Sequence, residues 1–155
     1  MKKTIFSLTF IVCSLMLNAQ NFTLNFKSVE KLLTDKVDLS TIEQRLKPNY
    51  LNVKKGEKEW KFRDDNKSWE ATLSILFDPA TKKIKEIQFV APKSRIIEYT
   101  DELKNELGYS YVRTEYNVMD IYMNSVKKLE ARTVPLDGMG LGLEGMVLYR
   151  LLWKE

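Results

Sequence analysis

Two adjacent carboxylates are the first residues in the sequence whose types could do chemistry. Asp64 and Asp65 would form a general acid and base pair only if they converged on one pocket from separate positions, as in glycosidases. Direct neighbours followed by Asn66 and Lys67 are more typical of a turn, because Asp and Asn side chains hydrogen-bond to the turn backbone. We therefore predict that Asp64 and Asp65 lie in a solvated hairpin turn.

A glycine-rich loop, residues 135–145, superficially matches a phosphate-binding motif. Gly138 and Gly140 have the Gly-x-Gly spacing, but Leu143 stands in place of a further glycine and no Lys-Ser/Thr pair follows. The loop is better explained as an adaptable protein-binding segment, because its apolar side chains lie on a flexible backbone. The alternative is that these side chains fold back into the core. The candidate partner-binding residues are Asp137, Met139, Leu141 and Leu143.

The composition excludes most catalytic machinery. The sequence has no histidine and a single cysteine, Cys13. It therefore cannot form an intramolecular disulfide, a Ser-His-Asp or Cys-His triad, or a zinc site of the usual His/Cys kind. Catalysis would have to use carboxylate, Lys, Tyr, Ser or Thr groups. We predict a protein that is not an enzyme and that uses no cofactor and no metal.

The N-terminus has the three parts of a secretory signal peptide. Lys2 and Lys3 form a basic region, residues 5–17 form an apolar region, and Ala19 is a small residue at a cleavage point. The apolar region is shorter than the roughly 20 residues of a membrane-spanning helix. Cleavage after residues 1–19 would remove the only cysteine and leave residues 20–155 as a single domain, periplasmic or secreted, with no stable membrane insertion.

Charge gives no argument for a nucleic-acid partner. The 25 basic residues fall to 23 when the signal is removed, against 21 acidic residues, so the net charge becomes +2. The densest basic run is interleaved with Glu57 and Glu59, which is typical of a solvated strand face protected against aggregation. This run comprises Lys54, Lys55, Lys58, Lys61 and Arg63. We expect the partner to be another protein.

Two helices are predicted at the start of the mature chain. From residue 28 the apolar residues share one helical face, namely Val29, Leu32, Leu33 and Val37. A second short helix is indicated by Ser40-Thr41-Ile42-Glu43, which fits a capping box, and Pro48 ends it. The preceding residues 21–26 alternate, and they fit either a short edge strand or an irregular tail.

Between residues 58 and 91 the hydrophobic period changes to two, which predicts an antiparallel meander. A first strand contains Trp60 and Phe62, and after a polar turn at 64–67 a second strand contains Trp69, Ala71, Leu73, Ile75 and Phe77. Residues 78–81 form another turn, and the third strand contains Ile87, Phe89 and Ala91. The three tryptophans, Trp60, Trp69 and Trp153, are expected in the core.

The second half of the chain repeats the order of helix and strands. Residues 94–108 predict a helix that ends at Gly108, with one face formed by Ile96, Ile97, Thr100, Leu103 and Leu107. Residues 109–114 alternate as a strand. Residues 118–124 and 126–134 fit further strands by their β-branched and aromatic content, although the spacing over residues 118–129 also permits a helix. A final apolar strand covers residues 146–153.

These elements predict an α+β fold of two helix-plus-antiparallel-meander units, residues 28–91 and 94–153, with the helices packed on one face of the sheet. This order resembles the tandem helix-plus-sheet architecture of the β-lactamase-inhibitor-protein family and related small envelope domains. The disulfides of that family are absent here, so no site residue is carried over from it.

Small size, an export signal, missing catalytic residues and this resemblance together predict a non-enzymatic protein-binding module. The sharper hypothesis is a periplasmic inhibitor or immunity protein that occludes the active site of a toxin or hydrolase. It would use the glycine-rich loop and exposed strand edges as its contact surface. The alternatives are an envelope assembly or structural accessory protein, and a carboxylate-based hydrolase in which two acidic residues converge in a deep pocket.

Overall fold

A computed structural model describes residues 24–35, 37–47, 50, 52–63, 73–140 and 142–154. Its helices are α1 (Phe26–Thr34), α2 (Leu39–Leu46) and α3 (Ile96–Asp101), the last flanked by a 3-10 turn (Lys93–Arg95) and a π-helical turn (Glu102–Glu106). None of the helices in these ranges has the length and apolar character that crossing a membrane requires. The predicted signal segment and the predicted turn with Asp64 and Asp65 lie outside the described residues.

In the described residues the strands form one eight-stranded sheet with antiparallel neighbours. The strands are β1 (Asn52–Lys55), β2 (Glu59–Arg63), β3 (Leu73–Phe77), β4 (Ile84–Pro92), β5 (Ser110–Glu115), β6 (Met119–Asn124), β7 (Leu129–Pro135) and β8 (Met146–Trp153). Their order across the sheet is β1-β2-β3-β4-β8-β7-β6-β5. The predicted α+β class is confirmed, with β4 and β8 at the centre and β1 and β5 at the two edges.

The first helix forms as its apolar periodicity predicts. Its buried apolar residues are Phe26, Val29, Leu32 and Leu33. Asn25 is the N-cap, and its side chain accepts a hydrogen bond from the Ser28 backbone N–H at 2.9 Å. The edge-strand alternative for residues 21–26 is wrong at Phe26, which is helical, and residues 21–23 lie outside the described residues.

A second acceptor at the start of α1 comes from far along the chain. The carboxylate of Glu102 accepts hydrogen bonds from the backbone N–H groups of Phe26 and Lys27, each at 3.0 Å. One helical turn earlier, the Tyr99 hydroxyl donates to the Leu24 carbonyl at 2.9 Å. The helical segment at 93–106 therefore fastens the beginning of α1, since a carboxylate there satisfies N–H groups that have no partner within the helix.

The N-terminus of α2 differs from the predicted capping box. The N-cap is Asp38, whose carboxylate accepts hydrogen bonds from the Ser40 hydroxyl at 2.5 Å and from the Thr41 backbone N–H at 2.9 Å. These hydrogen bonds lower the pKa of Asp38 to about 2. Glu43, the predicted partner of the box, instead forms an ion pair with Lys55 of β1 at 2.7 Å. An ionised carboxylate is a stronger cap than a hydroxyl, which explains the earlier start.

The predicted helix over residues 94–108 is confirmed in position, and its predicted buried face is wrong only at Ile97. Ile97 is 72% exposed, whereas Tyr99 and Leu103 are buried. A tyrosine suits this position because its ring packs in the core while its hydroxyl reaches a backbone carbonyl. Gly108 follows the helical segment at φ +73°, as expected of a glycine stop.

The strands agree with the predicted meanders in most places. The strands predicted for residues 118–124 and 126–134 are confirmed by β6 and β7, but Val126 lies exposed in the turn between them. The strand β1 was not predicted. It is joined to β2 through Gly56, where an added Cβ would lie 2.9 Å from the Glu59 carbonyl oxygen, so only glycine fits without a shift.

An aromatic cluster fills the centre of the core. Phe26 of α1 contacts the rings of Phe89 and Tyr149 edge-on, and the latter two stack at 5.0 Å across β4 and β8. Tyr99 meets the same rings edge-on. The core prediction holds in part for Trp60 and Trp153, which are half-buried against the main core, while Trp69 lies outside the described residues. The Tyr149 hydroxyl is buried without a hydrogen-bond partner among the described residues.

Candidate protein-binding surface

The glycine-rich loop is a structured connection between β7 and β8. Asp137 receives a hydrogen bond from the Gly145 backbone N–H at 2.7 Å and pairs with Lys93 at 2.7 Å. Lys93 and this N–H lower the pKa of Asp137. Asp137 therefore closes the base of the loop, which is a structural role in addition to the predicted contact role.

The other predicted contact residues differ in exposure. Met139 is exposed and Leu143 is half-buried. Leu141 lies outside the described residues. Within the described loop, Met139 is thus the apolar side chain that a partner can reach most fully.

A larger apolar surface lies on strand β5. Among the described residues this strand pairs with β6 alone, so the backbone groups on its other side face away from the sheet. Tyr111 is 51% exposed and Val112 is 42% exposed. The register shifts between Tyr111 and Arg113, which leaves Val112 outside the regular pairing. An edge strand with exposed aromatic and β-branched side chains is a ready surface for another chain.

The hairpin tip between β5 and β6 continues this surface. Tyr116 is 85% exposed and Val118 is also exposed. Tyr116 and Asn117 have φ values of 54° and 58°, which is the left-handed conformation of the two central residues of a type I′ turn. Asn and Gly adopt this conformation readily, whereas a bulky tyrosine does so at a cost. An exposed, strained tyrosine needs a reason outside the fold.

The side chains on β5 are held in place. The ring of Tyr111 contacts the ring of Tyr122 at 5.7 Å, and its hydroxyl is hydrogen-bonded to the Thr114 hydroxyl at 2.7 Å. Thr114 in turn donates to Asp120 at 2.6 Å, and the Arg113 guanidinium pairs with Glu115. A surface that is already ordered loses little side-chain entropy when a partner binds.

The sheet register places this tip beside the glycine-rich loop. Asp120 of β6 pairs with Thr133 of β7, so the start of β6 and the end of β7 lie at the same end of the sheet. The turn at residues 116–118 precedes β6, and the loop at residues 136–145 follows β7. We define the β5 surface as Tyr111, Val112, Tyr116 and Val118. Met139 lies in the loop at the same end of the sheet.

Buried carboxylates are the remaining candidates for chemistry. Glu30 accepts a hydrogen bond from the Tyr109 hydroxyl at 2.8 Å and pairs with Lys127. Burial and the neighbouring Glu30 carboxylate raise the pKa of Tyr109 well above its usual value. Glu86 pairs with Arg150 at 2.5 Å. These groups are engaged in structural pairs. The described residues contain no group of three or more His, Cys, Asp or Glu side chains that could hold a metal ion.

The sequence interpretation identified β5 as a strand but did not single out its side chains. The available signal was the density of aromatic residues, because Tyr109, Tyr111 and Tyr116 fall within eight positions. Only the first of the three is buried. Which of them face outward depends on β5 being an edge strand, and that follows from the distant pairing of β4 with β8.

Comparison with known proteins adds no further constraint on this surface. No family model matches the chain, and no match is found among curated proteins or solved structures. The surface must therefore be interpreted from its own residues.

Proposed function

We propose that the protein is an exported, non-enzymatic binding module that acts by docking on another protein. In the sharper form of the proposal it is a periplasmic inhibitor or immunity protein, and it covers the active site of a toxin or hydrolase. The contact surface is the β5 surface together with the exposed part of the glycine-rich loop. The candidate partner-binding residues in that loop are Asp137, Met139, Leu141 and Leu143.

One observation carries the proposal. Seven large apolar side chains are exposed among the described residues, and four of them, Tyr111, Val112, Tyr116 and Val118, belong to one edge strand and its hairpin tip. A scattered set would need no explanation, but a concentration of exposed aromatic and aliphatic side chains on one ordered edge strand and its tip is typical of a protein interface. Tyrosine is also enriched among the residues that dominate binding energy.

The order of elements supports a two-unit interpretation of the fold. Strands β1 to β4 lie in chain order on one side of the sheet centre, and β5 to β8 lie in chain order on the other. A helical segment precedes each set. We propose that residues 28–91 and 94–153 are two helix-plus-meander units of a single domain, preceded by a cleaved signal at residues 1–19. This arrangement agrees with the resemblance to small envelope inhibitors.

The proposal is tested by capturing the partner and measuring its activity. The tagged chain is expressed with its N-terminal segment, cross-linked in intact cells and recovered from envelope extract, and the proteins bound to it are identified by mass spectrometry. We expect one secreted toxin or hydrolase at near-stoichiometric yield, and purified protein should inhibit its activity. Recovery of outer-membrane assembly components without inhibition of any enzyme would instead support the accessory-protein alternative.

A loop deletion separates the two parts of the contact surface. Removing residues 138–142 shortens the glycine-rich loop but leaves the β5 surface unchanged. We expect weaker but measurable binding of the captured partner. Full binding by this variant would exclude the loop from the interface, and complete loss in a folded variant would show that the loop, not β5, is the main contact.

A further inference from the structure

A groove at the opposite end of the sheet combines apolar walls with an excess of lysines. It consists of two adjoining hollows of about 620 and 600 Å³ that share Lys83, Ile84 and Trp153 in their lining. Pockets of about 300–1,000 Å³ are the usual size for small-molecule ligands. We call these two hollows together the lysine groove.

Two turns and the segment after β8 meet to form the groove. Lys83 follows the turn between β3 and β4, Lys128 lies in the turn between β6 and β7, and Lys154 follows β8. The Lys154 backbone N–H donates to the Lys128 carbonyl at 2.9 Å, which fixes these two lysines beside each other. Glu86 of β4 pairs in register with Leu152 of β8, so Lys83 is brought to the same end of the sheet.

The positive charge of the larger hollow exceeds its negative charge. Its cationic lining consists of Lys83, Lys85, Lys127, Lys128, Arg132 and Lys154. Its two carboxylates, Glu86 and Glu130, are both engaged by arginines, Arg150 and Arg132 respectively.

Some of these lysines also have acidic partners, and others do not. Lys127 pairs with Glu30 at 2.5 Å and Lys85 pairs with Asp78 at 3.2 Å. No carboxylate of the described residues lies within ion-pair distance of Lys83, Lys128 or Lys154. The groove therefore holds three cations whose charge can be used to bind an anion.

The smaller hollow has apolar walls, although Thr81, Lys82 and Lys83 also line it. Leu33 and Val37 from the end of α1 and the segment after it line it together with Ile84 and the Trp153 ring. Its one carboxylate, Asp38, is occupied as the N-cap of α2. The two hollows meet at Lys83, Ile84 and Trp153, so an apolar wall adjoins a cationic one, which is complementary to a molecule with an apolar body and an anionic head.

A second lysine-rich hollow in the same protein shows that lysines alone do not make such a site. The hollow beside the β1–β2 hairpin has a volume of about 360 Å³ and is lined by Lys54, Gly56, Glu57, Lys58, Glu59 and Lys61. It has no apolar wall, and two glutamates offset its lysines. It provides a matched control for charge without an apolar surface.

We propose that the lysine groove binds a single-chain anionic amphiphile, namely a long-chain carboxylate of the fatty-acid type. The hydrocarbon chain lies against Val37, Ile84 and Trp153, and the carboxylate lies among Lys83, Lys128 and Lys154. The site is independent of the proposed protein-binding function. The groove and the β5–β6 tip lie at opposite ends of β6, which at about 3.3 Å per residue separates them by about 20 Å.

The first test measures binding of defined amphiphiles to purified protein by calorimetry and by chemical shifts of the Trp153 indole. The probes are decanoate below its micelle concentration, the cation decyltrimethylammonium, and acetate. We expect saturable binding of decanoate that weakens with added salt, and at least tenfold weaker binding of the other two. Equal binding of the cationic and anionic amphiphiles would overturn the proposal.

The second test uses variants. Replacing Lys83, Lys128 and Lys154 by Gln should weaken decanoate binding about tenfold, since each exposed ion pair contributes modestly. Replacing Lys54, Lys58 and Lys61 by Gln should leave it unchanged. Val37→Ser should weaken binding through the apolar wall without touching a charge. Equal effects of the two lysine triples would show nonspecific attraction and overturn the assignment.

The third test separates the free amphiphile from other anionic sources. Vesicles containing anionic phospholipid and an acidic peptide are titrated against the same protein. The proposal is supported if decanoate monomer binds more tightly than both the vesicles and the peptide. Binding of vesicles or peptide with no binding of the monomer would overturn it, because the groove would then serve a lipid surface or a protein partner.

Discussion

The two edges of the sheet are built in opposite ways. At β1, Lys55 is held 2.7 Å from Glu43 and lies 4.6 Å from the centre of the Trp60 ring. At β5, Tyr111 and Val112 are exposed. Lysines on an edge strand oppose the addition of another strand, whereas uncharged aromatic and β-branched residues permit it. The β1 edge carries protecting lysines, whereas the β5 edge, on which Arg113 pairs with Glu115, is open at Tyr111 and Val112.

If β5 binds a partner as proposed, this difference means that recognition depends on the side chains of an edge strand and not on the sheet itself. Both edges have a hairpin tip, and the tips also differ in charge and apolar character. The β1–β2 tip contains Glu57 and Lys58, whereas the β5–β6 tip contains Tyr116 and Val118. If this difference determines where the partner binds, matched substitutions at the two edges should have unequal effects on affinity.

The largest expected effect is on Tyr116. Tyr116→Asn keeps a residue that tolerates positive φ and removes the exposed ring. We expect the affinity for the captured protein partner to fall at least about 30-fold, as for an interface residue that dominates binding. The free energy of unfolding should stay the same or rise by about 1 kcal/mol as strain is relieved. Calorimetric titration and urea unfolding measure the two quantities. Lys58→Asn at the other tip is the control, and an equal loss there would contradict the comparison.

Exchanging the character of the edges should have the next largest effect. Val112→Lys gives β5 a protecting charge, and we expect about a tenfold loss of partner affinity. Lys54→Val removes a charge from β1, and we expect concentration-dependent self-association by light scattering. If Val112→Lys left affinity unchanged, β5 would bind through its tip alone.

A substitution at the contact between α1 and Glu102 should change the stability of the fold without changing partner affinity. Glu102→Gln weakens the acceptor for the Phe26 and Lys27 N–H groups, and we expect a loss of about 1–2 kcal/mol in the free energy of unfolding. Both edges keep their side chains, so partner affinity should not change well below the unfolding transition. Glu106→Gln, an exposed position in the same π-helical turn, should alter neither. Lost affinity in Glu102→Gln would mean that the β5 surface depends on overall stability.

Lowering the pH should slightly reduce the local stability of the β1 side of the molecule. The pKa of Asp38 is about 2, against 3.8 for the unconstrained group. A lowered pKa in the folded state contributes stability that is present above about pH 4 and is lost as the pH falls towards 2. Asp38 caps α2, which carries Glu43, the partner of Lys55 on β1. We expect amide exchange in residues 52–55 to increase over this window, and Asp38→Asn to flatten the dependence. A larger increase in residues 110–115 would reverse the comparison.

Periodicity predicted the elements whose stability is local or whose faces are strongly apolar. The alternation of Leu73, Ile75 and Phe77 identified β3, and the spacing of Val29, Leu32 and Leu33 identified α1. The strand β1 was missed because Asn52, Lys54 and Lys55 have no apolar alternation, and only pairing with β2 makes them a strand. The same limit applied to the candidate site, since the open edge of β5 follows from long-range pairing that no local pattern encodes.

Local sequence patterns also could not predict which apolar side chains are exposed, because exposure depends on long-range contacts. Ile97 was predicted in the core because it fits the aliphatic spacing. Tyr99 was not predicted there because its buried hydroxyl is satisfied by a carbonyl 75 residues away. Met139 was identified from its loop context and is exposed, whereas Asp137 serves the loop's own closure. Burial of each side chain is decided by neighbours from distant parts of the chain.

The reach of Glu102 to the start of α1 also has a consequence for folding. The contact joins residues 76 positions apart, and synthesis proceeds from the N-terminus, so α1 exists without this acceptor until most of the chain has been made. A fragment that stops after β4 would also lack β8, and it would present Ile87 and Phe89 on an unpaired edge. We therefore expect folding to await the C-terminal strand, with slow, cooperative kinetics and a need for protection of the nascent chain until that strand arrives.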